Sequence, residues 1–419
     1  MTHQQIILNH RFANGLTLVA QPMPWLESAA FSISVPAGCR YDPSDKKGLA
    51  NFTCEMALRG SGNLTNRQFV EALEFNGVSH SSNVSVYNTN FGGSMLALHL
   101  HDTMKIFATM LRQPLFPKDQ LEDGRQVCFM EVAAQEDELA QRAIQELRLR
   151  FYGAPDGNSS EGSFESLKSI TIEDIKSFHD QHYRPDETII SVAGKFDWDA
   201  LKDHIGSLLG DWSSKPAAPI NVTEPSRQSH HISFPSEQTH IAIAYPALPY
   251  CSDDYFLNRG SVGVLSDGMS SRLFTEVREK RGLCYTVSAS YHSLRDRAHV
   301  VCYSGTTTQR AQETLNVLIE QLTLLKDGID EAELRRLQVQ VRSSLIMQQE
   351  SCRARANAIA GDWMHLGRVR TLDEINEKIT GLTVESVNQF LTNHPPRDFV
   401  VVTLGAESLE FQRDIVSAT

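Results

Sequence analysis

An internal repeat constrains the fold of this 419-residue chain more than any other feature of its sequence. Residues 169–194 have the pattern of a capped helix, a turn and a buried strand, and the same pattern returns over residues 381–405. At an offset of 212 residues, the matching pairs include Thr171 with Thr383, Phe178 with Phe390, and His182 with His394. An offset of half the chain predicts two homologous domains, each with an α+β fold.

A stretch rich in proline and serine follows the first copy and has the composition of a linker. We therefore expect an N-terminal domain over residues 1–213, a linker over 214–227 and a C-terminal domain over 228–419. Within the N-terminal domain, the spacing of apolar residues predicts a helix over about 102–112 and one long helix over 118–151.

The composition excludes several classes of partner. The net charge is −12, and no basic stretch of the kind that displaces counterions from nucleic acid occurs, so we expect no nucleic-acid partner. The N-terminal stretch lacks the regions of a signal peptide, and no window has the roughly 18 apolar residues of a membrane span. Seven scattered cysteines without a Cys-x-x-Cys pair predict free thiols. We expect a cytoplasmic protein that does not interact with a membrane.

The segment 48–60 has the flanks of an inverted zinc-binding helix without its ligands. In the signature His-x-x-Glu-His, two histidines one helical turn apart bind the metal, and the glutamate activates water. The corresponding positions here are Asn51, Cys54 and Glu55. Both imidazoles are therefore replaced, and a cysteine occupies the place of the general base.

This segment and its flanks resemble the pitrilysin/insulinase family of zinc peptidases, and in particular half-length subunits such as those of the mitochondrial processing peptidase. The family's third zinc ligand is a glutamate 76 residues beyond the second histidine, and Glu131 retains it here. The resemblance implies that each domain is an antiparallel or mixed sheet flanked by helices. It also implies that the two domains face each other across a cavity, as half of a peptidase chamber.

A second match to the family lies over residues 265–285, where a loop containing glycine leads to a helix and then a strand. Arg278 and Tyr285 have the seven-residue spacing of the family's Arg/Tyr pair, and the resemblance implies that this pair reaches the substrate opposite the zinc. A guanidinium and a phenol hydroxyl stabilise the negative charge that develops on a peptide carbonyl. The alternative from the residues alone is that Arg278 pairs with Glu276 or Glu279. In that case Tyr285 packs in the core.

Three interpretations of the altered zinc motif compete. In the first, the site is inactive, because Asn51, Glu55 and Glu131 supply no imidazole and no carboxylate occupies the base position. In the second, the same three residues hold a hard cation such as Mg²⁺ or Ca²⁺, which prefers oxygen ligands. In the third, Cys54 is a nucleophile whose pKa a nearby histidine lowers, and His80 is the candidate. We expect the first interpretation, with no metal bound by this chain.

His80 is also a candidate substrate-binding residue, since it belongs to the strand predicted over residues 78–89. The resemblance implies that this strand lies at a sheet edge and pairs with substrate. The family carries an asparagine at the position of His80, in the pattern Gly-Gly-x-x-Asn-Ala, from which residues 76–81 depart. The plainer interpretation is a solvated histidine on a polar strand.

Three functions remain open at this point. The leading hypothesis is a substrate-binding subunit that lacks zinc and places Arg278 and Tyr285 beside the zinc of a homologous His-x-x-Glu-His-bearing partner, in a heterodimer that cleaves unfolded peptides. The second is an inactive scaffold that forms a homodimer, like the family's core subunits of a respiratory complex. The third is an autonomous metallopeptidase with an unusual metal site.

Overall fold

The computed structural model describes residues 5–411 and gives this part of the chain an α+β fold. In chain order the strands are β1 Leu8–Arg11, β2 Thr17–Pro22, β3 Ser28–Val35, β4 Gly60–Ser61, β5 Leu64–Thr65, β6 Ser79–Val84, β7 Thr89–Leu96, β8 Ile189–Gly194, β9 His230–Ser233, β10 Gln238–Ala247, β11 Cys284–Ser293, β12 Ala298–Thr307 and β13 Val400–Gly405. The α-helices are α1 Leu49–Ala57, α2 Asn66–Phe75, α3 Leu100–Arg112, α4 Leu121–Asp137, α5 Leu139–Tyr152, α6 Phe164–Ser169, α7 Ile172–His182, α8 Trp198–Leu209, α9 Tyr255–Ser266, α10 Ala311–Leu324, α11 Glu331–Gln348, α12 Cys352–Leu366, α13 Leu372–Thr380 and α14 Val384–Asn393.

The strands form two main sheets, one in each of two compact units. The first sheet has the order β1-β2-β8-β3-β7-β6, and the second has the order β11-β12-β10-β13-β9. Each contains one parallel pair, β2 with β8 and β9 with β13, and its other neighbours are antiparallel. Strands β6 and β11 each lie at an edge, so one side of each backbone has no strand neighbour in its sheet.

The repeat predicted from the sequence is visible in the way two helices begin. Thr171 and Thr383 are the N-caps of α7 and α14, and each is part of a capping box. The Thr171 side chain accepts the backbone N–H of Asp174, and that of Thr383 accepts the N–H of Ser386. A fully buried strand follows each helix, β8 in the first unit and β13 in the second. This part of the predicted duplication is confirmed.

The single long helix predicted over residues 118–151 is wrong. The chain forms α4 and α5 there, and Glu138 between them leaves the helical conformation at φ −85° and ψ 88°. The two helices bury their apolar residues in different places: α4 contributes Cys128 and Val132 to the core of the first unit, whereas α5 packs against β10 and β13 of the second. The change of sheet explains the break.

The two units also differ from the contiguous domains expected over 1–213 and 228–419. The first comprises the chain up to Ala134, Asn158–Val222 and Met347–Thr371, and the second comprises Gln135–Gly157, Thr223–Ile346 and the chain from Leu372. The segments that depart from the expectation carry α5 and α12, and the reason is burial. Helix α12 packs against β2, β3 and β8 of the first sheet, as α5 does against the second. Residues 213–229, which include the expected linker, form neither helix nor strand.

Candidate functional site

The predicted metal-motif helix exists as α1, and its start is fixed by a buried carboxylate. Asp42 accepts hydrogen bonds from the backbone N–H groups of Gly48 (2.7 Å) and Ala50 (2.8 Å) at the helix N-terminus. Gly48 itself has φ +88°, a conformation that favours glycine. Phe52 and Met56 bury one face of the helix. The helix therefore presents its remaining face toward α4.

The structure brings Asn51 and Glu131 together across α1 and α4. The Asn51 Nδ2 donates a hydrogen bond of 2.6 Å to Oε2 of Glu131. Burial raises the pKa of Glu131 above its ordinary value, the Asn51 bond opposes that rise, and the charge of Glu55 adds to it. The predicted proximity of the motif helix and Glu131 is present, but the contact between them is a hydrogen bond from an amide.

Glu55 is held by a cation on its own helix. Arg59, one turn later, places Nη2 at 2.7 Å and Nε at 2.9 Å from Oε1 of Glu55. Both side chains are about three-quarters or more buried, which keeps the pair shielded from solvent. The guanidinium thus occupies the side of Glu55 where a metal ligand would need a free oxygen.

Cys54 points into the core and is only 4% exposed. Burial raises the pKa of its thiol to about 12, and the charges of Glu55 and Glu131 act in the same direction. The hydrogen-bond partner that lowers this pKa is Ser82 rather than His80. A thiol that stays protonated at neutral pH is a poor nucleophile, which argues against the interpretation of Cys54 as a catalytic residue.

The residues at the motif do not fit zinc. Zinc sites use imidazole, thiolate or carboxylate ligands, whereas here an amide N–H is directed at Glu131 and a guanidinium at Glu55. The same two contacts engage the oxygens that a hard cation would need. Within residues 5–411, no group of three or more His, Cys, Asp or Glu side chains is arranged to hold a metal ion.

His80 lies on β6, the edge strand of the first sheet, with its side chain exposed. Its ring centroid lies 6.4 Å from that of Phe107, and burial lowers the pKa of the imidazole below its ordinary value. Residues 79–83 are all exposed, so the outer edge of β6 is open along most of its length. The edge position predicted for this strand is therefore present, and His80 remains a proposed substrate contact.

Arg278 and Tyr285 form a contact pair at the start of the edge strand β11. The guanidinium carbon of Arg278 lies 5.1 Å from the Tyr285 ring centroid and 4.7 Å from that of Phe274. Arg278 belongs to a π-helical turn over Phe274–Glu279, a geometry that is rare and frequent at functional sites. The two rings hold the guanidinium without neutralising its charge.

Two observations contradict the alternative that Arg278 is ion-paired and Tyr285 is buried. Glu276 bonds instead to Lys280 (2.6 Å) and Arg281 (2.7 Å), and across the described residues Arg278 forms no ion pair. Tyr285 is 83% exposed. The pairing of β11 with β12 shifts register between residues 284 and 286, so Tyr285 lies at a bulge, which turns its side chain out of the regular alternation.

Phe274 is the residue that the sequence analysis missed. It precedes Arg278 by four positions, a spacing at which helical side chains meet, and an aromatic-cation pair at that spacing is a signal that the sequence does contain. The π-helical turn and the bulge had no such signal, because neither changes the spacing of apolar residues.

Sequence models of protein families match both halves of the chain. The model described as Insulinase (Peptidase family M16) matches residues 19–159, and the model described as Peptidase M16 inactive domain matches residues 169–341. The chain belongs to peptidase family M16. The resemblance stated from the sequence is thus confirmed at the level of the family, over about three quarters of the chain.

Individual members of the M16 family support the same assignment. The chain is similar to the uncharacterized zinc protease YmxG of Bacillus subtilis, with 26% identity over 387 residues that cover 91% of this chain and 94% of that protein. Its fold is similar to that of a peptidase M16 inactive domain from Pseudomonas fluorescens, at a TM-score of 0.87 and 22% identity over 97% of this chain and 100% of that one. A chain of complex III2 from Candida albicans, solved with Inz-5 bound, has a TM-score of 0.82 and 17% identity over 96% of each chain. Below 25% identity these structures show the shared fold alone.

Among residues 5–411, no helix has the length and apolar character needed to cross a membrane.

Proposed function

We propose that this M16 protein is a non-catalytic, substrate-binding subunit of a two-chain zinc metallopeptidase that cleaves unfolded peptides. The observation that carries the proposal is the contrast between two sites. Arg278 is free of ion pairs and contacts an exposed Tyr285, whereas the oxygens at the metal motif are engaged by Asn51 and Arg59. The first site is available to a ligand, and the second is closed by its own hydrogen bonds.

The chemistry of Arg278 and Tyr285 suits a peptide carbonyl in its transition state. A guanidinium remains charged at any pH at which a protein is folded, and a phenol hydroxyl donates a hydrogen bond. Donors fixed in place before the reaction stabilise the developing oxyanion without having to reorganise. The contacts of Arg278 with Phe274 and Tyr285 supply that fixation. The zinc, its bound water and the general base would come from a homologous subunit with an intact His-x-x-Glu-His signature.

The proposal is tested by mixing the chain with such a subunit and measuring cleavage of an unfolded fluorogenic peptide. Arg278→Ala is expected to lower kcat/KM of the mixture by about 100-fold and Tyr285→Phe by about 10-fold, as for loss of a donor to an oxyanion. Lys280→Ala is the matched control, since it removes a cation two positions away that pairs with Glu276. Full activity of the Arg278→Ala mixture contradicts the proposal.

The same preparation separates the other two functions. An inactive scaffold predicts a stable homodimer whose properties do not depend on Arg278. An autonomous peptidase predicts chelator-sensitive cleavage by the chain alone together with one equivalent of bound metal. Either result replaces the proposed role.

A further inference from the structure

A pocket of about 560 Å³ lies within the second unit, between helix α11 and the loop that follows α9. Its volume is in the range of pockets that bind ligands, which runs from roughly 300 to 1,000 Å³. The loop is the glycine-containing segment 266–271, which leads into the turn that carries Arg278. The proposed role of Arg278 and Tyr285 does not use this pocket.

Two glycines bring the walls of the pocket close to α11. A Cβ atom at Gly263 on α9 would collide with Cδ1 of Leu337, and one at Gly268 would collide with the amide of Gln340. Gly268 also has φ +90°, which disfavours any other residue. The pocket is therefore shaped by backbone that packs directly against side chains of α11.

Apolar side chains line the pocket and are open to solvent. Met269 on the loop is 75% exposed, and Val339 on α11 is 58% exposed. Solvent-exposed apolar side chains that line a pocket mark a binding surface, and methionine adapts its shape to different partners.

The charges at the pocket do not balance. Its two acidic residues are neutralised by cations of the surrounding structure, Asp267 by Arg259 at 2.9 Å and Glu333 by Arg272 at 2.6 Å. Two positive charges, those of the adjacent residues 335 and 336, are left over.

Arg335 and Arg336 are both exposed and line the pocket. In the described part of the chain neither forms an ion pair, not even with Glu331, which precedes Arg335 by one helical turn. An apolar pocket with two unpaired guanidinium groups is thus present on a protein whose net charge is −12.

We infer that this pocket binds a segment of the peptide substrate in which an acidic side chain lies next to apolar ones. A carboxylate matches a guanidinium in geometry and charge, and apolar side chains match Met269 and Val339. A basic segment would meet like charge and be rejected. The inference rests on the proposed binding of peptides and adds a preference among them.

The test compares three fluorescein-labelled decapeptides of leucine and serine that differ at two adjacent positions, which are Glu, Gln or Lys. Anisotropy at low salt is expected to show the Glu peptide binding about 10-fold more tightly than the Gln peptide, and the Lys peptide most weakly. The double variant Arg335→Glu/Arg336→Glu is expected to remove this order or invert it. Arg342→Glu is the matched control, because it makes the same charge change on α11 at a residue that does not line the pocket.

Equal binding of the Glu and Gln peptides overturns the inference, as does an unchanged order in the double variant or an equal effect of Arg342→Glu. Met269→Ser is expected to weaken all three peptides by a similar factor, and an unchanged affinity contradicts the apolar contact. Circular dichroism establishes that each variant is folded. If the double variant keeps the preference while Arg278→Ala abolishes cleavage with the partner, the inference fails and the proposed function stands.

Discussion

The side-chain amide of Asn51 donates a hydrogen bond of 2.6 Å to the carboxylate of Glu131. This bond joins the helix of the altered motif to the helix that carries the one retained zinc-ligand position of the family. It also keeps the two helices in the arrangement that a metal would otherwise impose. The scaffold of the zinc site has therefore outlasted its ligands.

Restoring two imidazoles should restore metal binding. In Asn51→His/Glu55→His, two histidines one turn apart would face Glu131, and Arg59 would lose its carboxylate partner. We expect the variant to retain about one equivalent of zinc after dialysis, measured by elemental analysis, since three protein ligands complete such a site. Adding Glu131→Gln should lower that amount. Zinc retained equally by the unaltered protein would contradict our view of the motif.

Phe274 should contribute to activity by positioning Arg278. Phe274→Leu keeps an apolar side chain but removes the ring 4.7 Å from the guanidinium. A cation-π contact at an exposed site stabilises by about 0.5–1 kcal/mol, so we expect kcat/KM of the two-chain mixture to fall by about three-fold. The same change at Phe75, which is 84% exposed in the first unit, is the control. A loss caused only by unfolding would appear as a lower Tm for Phe274→Leu.

The thiols should differ sharply in reactivity. Cys251 is exposed, whereas Cys54 is buried and its pKa is raised to about 12. We expect iodoacetamide at pH 8 to modify Cys251 in the folded protein and Cys54 only after denaturation, as followed by mass spectrometry of tryptic peptides. Rapid modification of Cys54 in the folded chain would revive its role as a nucleophile.

The first unit should lose stability in mild acid because of His182. This side chain is 5% exposed and packs against Tyr41 and Phe178, and burial lowers its pKa from 6.5 to about 4. The unfolded chain then binds a proton that the folded chain does not, so stability is complete above pH 6.5 and is lost as the pH falls toward 4. The loss is about 3 kcal/mol for this one group.

The experiment compares urea unfolding of the parent protein and of His182→Phe between pH 7 and pH 4. The phenylalanine variant should lack this part of the pH dependence, so that the difference in unfolding free energy between the two proteins grows as the pH falls. His394→Phe, at the repeat-related position where the side chain is exposed, is the control. A constant difference across the range would mean that His182 does not titrate as described.

Local signals predicted the parts of the fold that depend on neighbours in sequence. The capping boxes at Thr171 and Thr383 and the distance from the motif to Glu131 are written into short patterns. The division between α4 and α5 is not, because apolar spacing shows which face of a helix is buried but not which sheet covers it. The same limit applies to Arg278, whose acidic neighbour Glu276 bonds to other cations.

Because α5 and α12 each cover the sheet of the unit built mainly from the other half of the chain, severing the polypeptide at residues 214–227 would leave two incomplete fragments. The N-terminal piece would lack the helix that packs on Met23, Ala30 and Ala193, and would expose that apolar surface to water. Each piece expressed by itself should aggregate, whereas the two expressed together should reassemble. The ancestral duplication has thus become a mutual dependence, in which neither copy can be inherited as a free-standing module.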